Sequence, residues 1–404
     1  MATKRPWYQT TLGNQASLFA AAALLGVIYA GSTIVTPLYP LYQRAFDVSE
    51  VTVTLVYATY VIGNLGALFA FGRVSDQAGR RLVSLLVLAV AGVSTVLFLF
   101  AVHPVLLFLG RAASGLAIGV GAATVTAWIA DLYPADDKAR ASRLAAAVNL
   151  VGLAVGVVAS GLLAQFAPWP LRSIYVIYLL VLLVSAAVIA RTRETIESPA
   201  RTSEKVSLRP RVGVPANARM AFVAPAVTAF ATFALLGFYA ALVPNLLAQS
   251  MHLQSPAVSG AIVAELFAAS AVTVMAAPML SAQATMFIGL WLLMPSLASL
   301  LWAQVAGSIA VLVVATLLCG IASAFGFRGS LQEANRIAPA ERRAEVLSAY
   351  LLCCYSGNSL PAVGVSMLSR QIGHLWANVT FAAVSGALAL IALAVGGRAR
   401  RASD

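Results

Sequence analysis

The sequence predicts an all-α membrane protein of twelve transmembrane helices in two pseudo-symmetric six-helix bundles, on three observations. Twelve apolar runs, each about the length of helix that crosses a bilayer's hydrocarbon core, fill nearly all of the 404 residues. Only 10% of residues are charged against 61% hydrophobic, too few polar groups to cover the surface of a soluble chain. The second half also repeats the first, with Gly115 superposing on Gly320, Pro134 on Pro339 and Gly152 on Gly357 without a gap.

The runs lie near 18–39, 52–71, 82–102, 105–130, 144–166, 172–190, 220–247, 257–280, 284–302, 305–332, 346–368 and 376–396. Unpaired backbone is intolerable in lipid and the runs are far too long for barrel strands, so each is expected to be a helix. The first follows Lys4 and Arg5 and continues to about residue 39, too long for the apolar core of a removable signal. A charged loop, residues 72–81, follows the second run, and a single arginine, Arg111, lies inside the fourth. Residues 191–219 form the one long polar interruption, expected to be a cytoplasmic linker between an N-terminal bundle, 1–190, and a C-terminal bundle with a short tail, 220–404. Pro37 in the first run and Pro244 in the seventh fit the same duplication with a short insertion. The eighth run holds Glu265 and the tenth Arg328.

Orientation follows from the basic residues. Lys4, Arg5, Arg73, Arg80, Arg81, Lys138, Arg140, Arg143, Arg336, Arg342, Arg343, the central Arg191 to Arg219 and the tail's Arg398, Arg400 and Arg401 alternate onto one face, leaving Arg44, Arg172 and Arg370 on the other. By the positive-inside rule both termini are cytoplasmic, in a multi-pass protein of the bacterial inner (plasma) membrane. The net charge of +12 is then a topology signal that also anchors lipid headgroups, and no nucleic-acid partner is expected. Cys319, Cys353 and Cys354 lie in predicted spans without metal-ligand spacing, and His103, His252 and His374 fall in external loops. No phosphate loop, nucleophile elbow or paired-carboxylate motif occurs, so neither an enzyme nor a bound cofactor or metal is expected.

The loop Gly72-Arg73-Val74-Ser75-Asp76-Gln77-Ala78-Gly79-Arg80-Arg81 matches a Gly-x-x-x-Asp-x-x-Gly-Arg-Arg signature, and with the paired six-span halves the chain resembles a major facilitator superfamily transporter along essentially its whole length. The resemblance implies a cytoplasmic gating motif in which Gly72, Asp76, Gly79, Arg80 and Arg81 build a charge network that helps hold an outward-open state. Physically, Asp76 can pair with a base or a helix N-terminus across the interface between halves. The counterpart loop, 278–284, carries no charge, so such a latch is asymmetric. Arg111-Ala112-Ala113-Ser114-Gly115 resembles an Arg-x-x-x-Gly motif that the family associates with proton coupling. Gly152, Gly156 and Gly161 resemble part of a glycine-rich antiporter motif whose Gly-Pro pair is absent, and such spacing also serves close helix packing.

Arg111, Glu265 and Arg328 come within a few residues of the membrane midplane. A charge there costs at least about 2.5–3.5 kcal/mol on insertion scales, so each is expected to face the bundle interior, pair, or touch a wet pathway. Glu265, the one acid at that depth, reads as a proton carrier or substrate-charge sensor, or as a structural ion pair with Arg328 or Arg111. Arg328, flanked by Gly326 and Gly329, reads as an anchor for an anionic or carbonyl-bearing substrate, or as a simple pair. Softer polar candidates for the cavity are Tyr29, Thr36, Tyr39, Tyr57, Asn64, Asn149, Tyr239, Asn245, Tyr355 and Asn358, each of which could equally bond a neighbouring helix, and Asp131 reads as interfacial. The expected function is secondary active transport by alternating access: proton-coupled efflux of drugs or small metabolites, or alternatively proton-coupled uptake of an organic anion. Its partners would be a small-molecule substrate, protons and lipid, with the protein working as a monomer.

Overall fold

The structure, a computed structural model, describes residues 11–71, 74–134, 137–196, 212–277 and 280–401, and the regular elements among them are all helical. Eleven helical stretches are long and apolar enough to cross a membrane, and a twelfth, Ser173–Ile189, has 17 residues, the lower end of a spanning length. In chain order they are α1 Asn14–Thr33, α2 Glu50–Phe71, α3 Arg80–Leu99, α4 Pro104–Leu132, α5 Lys138–Phe166, α6 Ser173–Ile189, α7 Arg219–Ala241, α8 Pro256–Ala276, α9 Ala282–Ala306, α10 Ile309–Ile337, α11 Arg343–Ile372 and α12 His374–Arg401. Several outrun the apolar stretches that announced them, because a helix continues into the polar interface wherever its ends are capped. Ser255, Ser281 and Ser308 accept hydrogen bonds from the first-turn N–H groups of α8, α9 and α10.

The duplicated prolines break the same helix in each half. Pro37 lies in the 3-10 turn Thr36–Leu38 that interrupts α1 before a short helix, Tyr39–Ala45. Pro244 sits in the first turn of the short helix Val243–Ser250 that follows α7. Proline has no N–H to continue the helical hydrogen-bond run, so each chain bends there, and the two short helices meet.

Helix packing repeats with the sequence. In the first half α1 contacts α4, α5 and α6, α2 contacts α4, and α3 contacts α4 and α6. In the second half α7 contacts α10, α11 and α12, α8 contacts α10, and α9 contacts α10 and α12. Glycines matched by the sequence repeat make equivalent contacts. A Cβ at Gly115 would strike the carbonyl oxygen of Tyr60 on α2, and one at Gly320 that of Leu266 on α8; Gly152 lies against Gly26 of α1, and Gly357 against Phe230 of α7. Lipid solvates apolar side chains as well as a neighbouring helix does, so close backbone approach is what such crossings rely on.

Two pairs of long helices join the halves, α5 with α8 and α2 with α11, and the repeat exchanges one for the other. The α5–α8 seam closes near Gly161, where a Cβ would come within 2.5 Å of the Pro256 carbonyl oxygen, and near Gly260, which faces the Val157 carbonyl oxygen. Both lie at the end of the bundle away from Arg80, Lys138 and Arg343, here called the sealed end, the other being the basic end. Gly152 and Gly156 instead hold α5 to α1 inside the first half, with Gly156 against Ala30. Crossings within a half should therefore differ from crossings between halves. Gly152→Leu is expected to lower stability by about 1–3 kcal/mol through overpacking, seen as a lower thermal unfolding midpoint. Gly161→Leu is expected to leave that midpoint little changed while opening the sealed end, measured as slower disulfide formation between Gln165→Cys and Ser255→Cys.

Candidate functional site

At mid-depth the two halves enclose a cavity of about 280 Å³. Its first-half wall is polar, with Tyr29, Ser32, Thr33 and Thr36 of α1 and the turn after it, Tyr57 and Tyr60 of α2, Arg111 of α4 and Asn149 of α5. The second-half wall is mostly apolar and aromatic, with Phe233 and Leu236 of α7, Phe267 of α8, Phe327 of α10 and Leu351 of α11, to which Tyr355 and Asn358 add polar atoms. Asn358 faces the Tyr57 hydroxyl and Asn64 faces that of Tyr355, so polar pairs bridge α2 and α11 at the seam.

Arg111 is placed by the glycine four residues after it. Gly115 shares its helix face and lets α4 approach α2 to backbone contact, which lays the guanidinium over the rings of Tyr57 and Tyr60 at 5.5 and 5.2 Å. Its Nη1 donates to the Ser32 carbonyl oxygen at 2.8 Å, and the side chain is buried beside Tyr39. Tyr60 escaped the sequence reading, although it shares a face of α2 with Tyr57 and Asn64 at i, i+3 and i+7 and accepts from Asn64 Nδ2 at 3.1 Å.

Glu265 corrects an expectation. The cavity-lining residues of α8, Phe267, Ser270 and Val274, lie roughly 140 to 200° around the helix from it at 3.6 residues per turn. It falls instead on the outer stripe with Ala261, Ala268 and Val272, half-buried, with Tyr239 of α7 behind it. An ion pair with the cavity's Arg111 is thereby ruled out. Tyr239 is also outside the cavity, its hydroxyl joined to Thr316 Oγ1 at 3.1 Å in the interior of the second half. Arg328, half-buried, is not a wall residue; it extends the α10 stripe of Ala324 by one turn toward the basic end.

Asn245 belongs to the sealed end. It is buried and faces Glu50, the first residue of α2, whose carboxylate also lies 3.9 Å from Nδ1 of His374 at the start of α12. Gln165 of α5 meets the second half here too, its Oε1 accepting from Ser255 Oγ at 2.5 Å and from the Ala257 N–H at 3.2 Å. Nothing along the chain marks this cluster: Asn245 is expected in the cavity, and Glu50, Gln165 and His374 are ordinary polar residues near helix ends until the halves are brought together.

At the basic end Gly79 has a left-handed φ of +93°, and a Cβ there would lie 2.7 Å from a Glu194 oxygen. Glu194 occupies the N-terminus of α3, accepting from the N–H groups of Arg80 at 3.0 Å and Arg81 at 2.9 Å. The Arg80 side chain is buried between Asp76 at 2.6 Å, Asp131 of α4 at 3.1 Å and Ser75 at 2.6 Å. Asp76 therefore pairs within its own half, as i, i+4 neighbours do, and not across the interface. Gly72 lies outside the described residues. Asp131 and Glu194, read from sequence as interfacial and linker residues, are integral to the network. Glu194→Ala is expected to cost about 0.5–2 kcal/mol, the range for losing a helix cap, measured as a lowered thermal unfolding midpoint.

Comparison with known proteins agrees with this architecture. The family model described as Major Facilitator Superfamily matches residues 21–362. Puromycin resistance protein pur8 of Streptomyces alboniger is 32% identical over 149 residues, 37% of this chain and 29% of that protein. Multidrug resistance protein 2 of Bacillus subtilis is 24% identical over 140 residues, 35% of each chain, and multidrug resistance protein Stp of Mycobacterium tuberculosis is 28% identical over 164 residues, 40% of this chain and 30% of that protein. The chain thus matches about a third of the length of these relatives. Among solved structures, a bacterial homologue of the human lysosomal transporter Spinster, in an inward-facing and unoccupied conformation, superposes with a TM-score of 0.73 at 16% identity, over 95% of this chain and 98% of that one. Helices in two like halves around a mid-depth cavity, with a family match over most of the length, make this chain a member of the major facilitator superfamily.

Proposed function

We propose that the protein is a secondary active exporter of small organic molecules, driven by protons and working as a monomer in the bacterial inner membrane with both termini in the cytoplasm. The observation that carries this is the cavity at the seam of two matching bundles, closed on one side by the glycine crossing of α5 and α8. Residues 1–190 and 220–404 are the two moving bodies, and 191–219 is the cytoplasmic linker. The basic end faces the cytoplasm by the positive-inside rule, so the cavity opens inward when the sealed end is shut. Export is supported by the resistance proteins among the relatives, whose names describe puromycin and multidrug resistance.

Coupling to protons requires an acid whose surroundings change between states. Glu50 fits: its neighbours Asn245 and His374 belong to the other half, so opening the sealed end strips them away. Glu50, Thr54 and Tyr57 share one face of α2 at i, i+4 and i+7, a polar line from the seal into the cavity. Glu265 faces away from that line. The uptake reading, favoured by the buried guanidinium in the cavity, differs in direction, and the same assay separates the two.

Liposomes holding the purified protein and an internal pH dye are to be challenged with cationic, neutral and anionic compounds. Compound added on the side of the basic end should change internal pH and be expelled against its gradient. In Glu50→Gln the pH response should fall at least about tenfold, a loss of ~1.4 kcal/mol or more of coupling, while gradient-free compound exchange persists. Glu265→Gln should keep the response; its loss would return the coupling role to Glu265.

A further inference from the structure

We infer that Arg111 and the tyrosines around it form a subsite for the anionic head of an aromatic substrate, whose ring lies against the phenylalanine wall of the other half. This names the substrate class of the cavity and rests on the transporter reading above. Arg111 is 2% exposed, and its Nε has no hydrogen-bond partner among the described residues. One carbonyl oxygen, from Ser32, two ring faces and the neighbouring Tyr39 answer a full positive charge in the membrane interior. None of the residues lining the cavity is acidic. An entering cation would therefore meet a like charge and no carboxylate to answer it, whereas an entering carboxylate would pair with the guanidinium by a charge-assisted hydrogen bond.

The opposite wall fixes the rest of the ligand. Phe233 and Phe327 meet edge to face at 5.4 Å, and Phe233 meets Tyr355 at 6.3 Å, forming an aromatic surface from the second half with Phe267 beside it. Such a surface takes a flat apolar ring by offset or edge-on stacking. Because the head site belongs to α4 and α2 and the ring site to α7 and α10, one molecule occupying both would tie the two halves together through itself. Only an amphiphile with a head and a ring satisfies both walls.

The test uses a matched pair of probes, 2-naphthoate and 2-naphthylmethylammonium, on the full-length protein in lipid nanodiscs, with methyl 2-naphthoate as the uncharged control. Naphthoate should bind at least about tenfold more tightly than the ammonium compound or the ester. Arg111→Gln should abolish that preference, whereas Phe327→Ala should weaken naphthoate and the ester alike and keep the preference. Equal or tighter binding of the ammonium compound to the unaltered protein overturns the proposal, whether or not any variant folds, as does naphthoate affinity that survives Arg111→Gln. Flux separates this inference from the reading beneath it. Proton-driven movement of the ammonium compound without naphthoate binding overturns the subsite and keeps the transporter; naphthoate binding that depends on Arg111 without flux of any compound supports the subsite and overturns the transporter reading.

Discussion

Backbone contact at glycine is the constraint on which this architecture depends. In hydrocarbon a helix gains little by trading lipid for another apolar helix, so crossings are decided by how closely backbones can approach. Gly115 and Gly320 set α4 on α2 and α10 on α8, while Gly152 and Gly357 set α5 on α1 and α11 on α7. These contacts make each half a unit with the same internal geometry. The crossing at Gly161 and Gly260 uses the same device between units, where it closes one end of the cavity.

The same approach creates the chemistry of the cavity. An arginine in the membrane interior is tolerable when something answers its charge, and the Gly115 crossing brings two tyrosine rings and the Ser32 carbonyl to that task. The second half has Thr316 where the repeat would place an arginine, bonded to Tyr239 with Cys319 nearby. Duplication supplied two equal frames, and substitution made one wall of the cavity cationic and the other aromatic.

The Arg80 charge network at the basic end likewise belongs to one half. Arg80, Asp76, Asp131 and Glu194 lock α3, α4 and the segment after α6 together, all within the first half. A buried guanidinium held by two carboxylates and a hydroxyl keeps its geometry because losing any partner would leave charge stranded. The Glu194 carboxylate on the first N–H groups of α3 makes the chain just beyond α6 part of the first bundle.

The sequence by itself determined the spans, the duplication and the charged signature loop, because hydropathy, repeat spacing and a motif are properties read along a line. It also identified Arg111 correctly as an interior charge, since seven residues of helix carry it about 10 Å from the loop at Pro104. Depth along a helix is legible in this way, but rotation about its axis is not. Glu265 and Phe267 differ by two positions and face opposite directions, and only the packing of α8 on α5 and α10 decides which of them meets the cavity. The Glu50, Asn245 and His374 cluster and the docking of Glu194 join residues far apart in the chain, so tertiary structure alone brings them together. In a helix nearly uniform in apolar character, no amphipathic stripe marks the inner face, and the side chains that matter are chosen by where the neighbouring backbones lie.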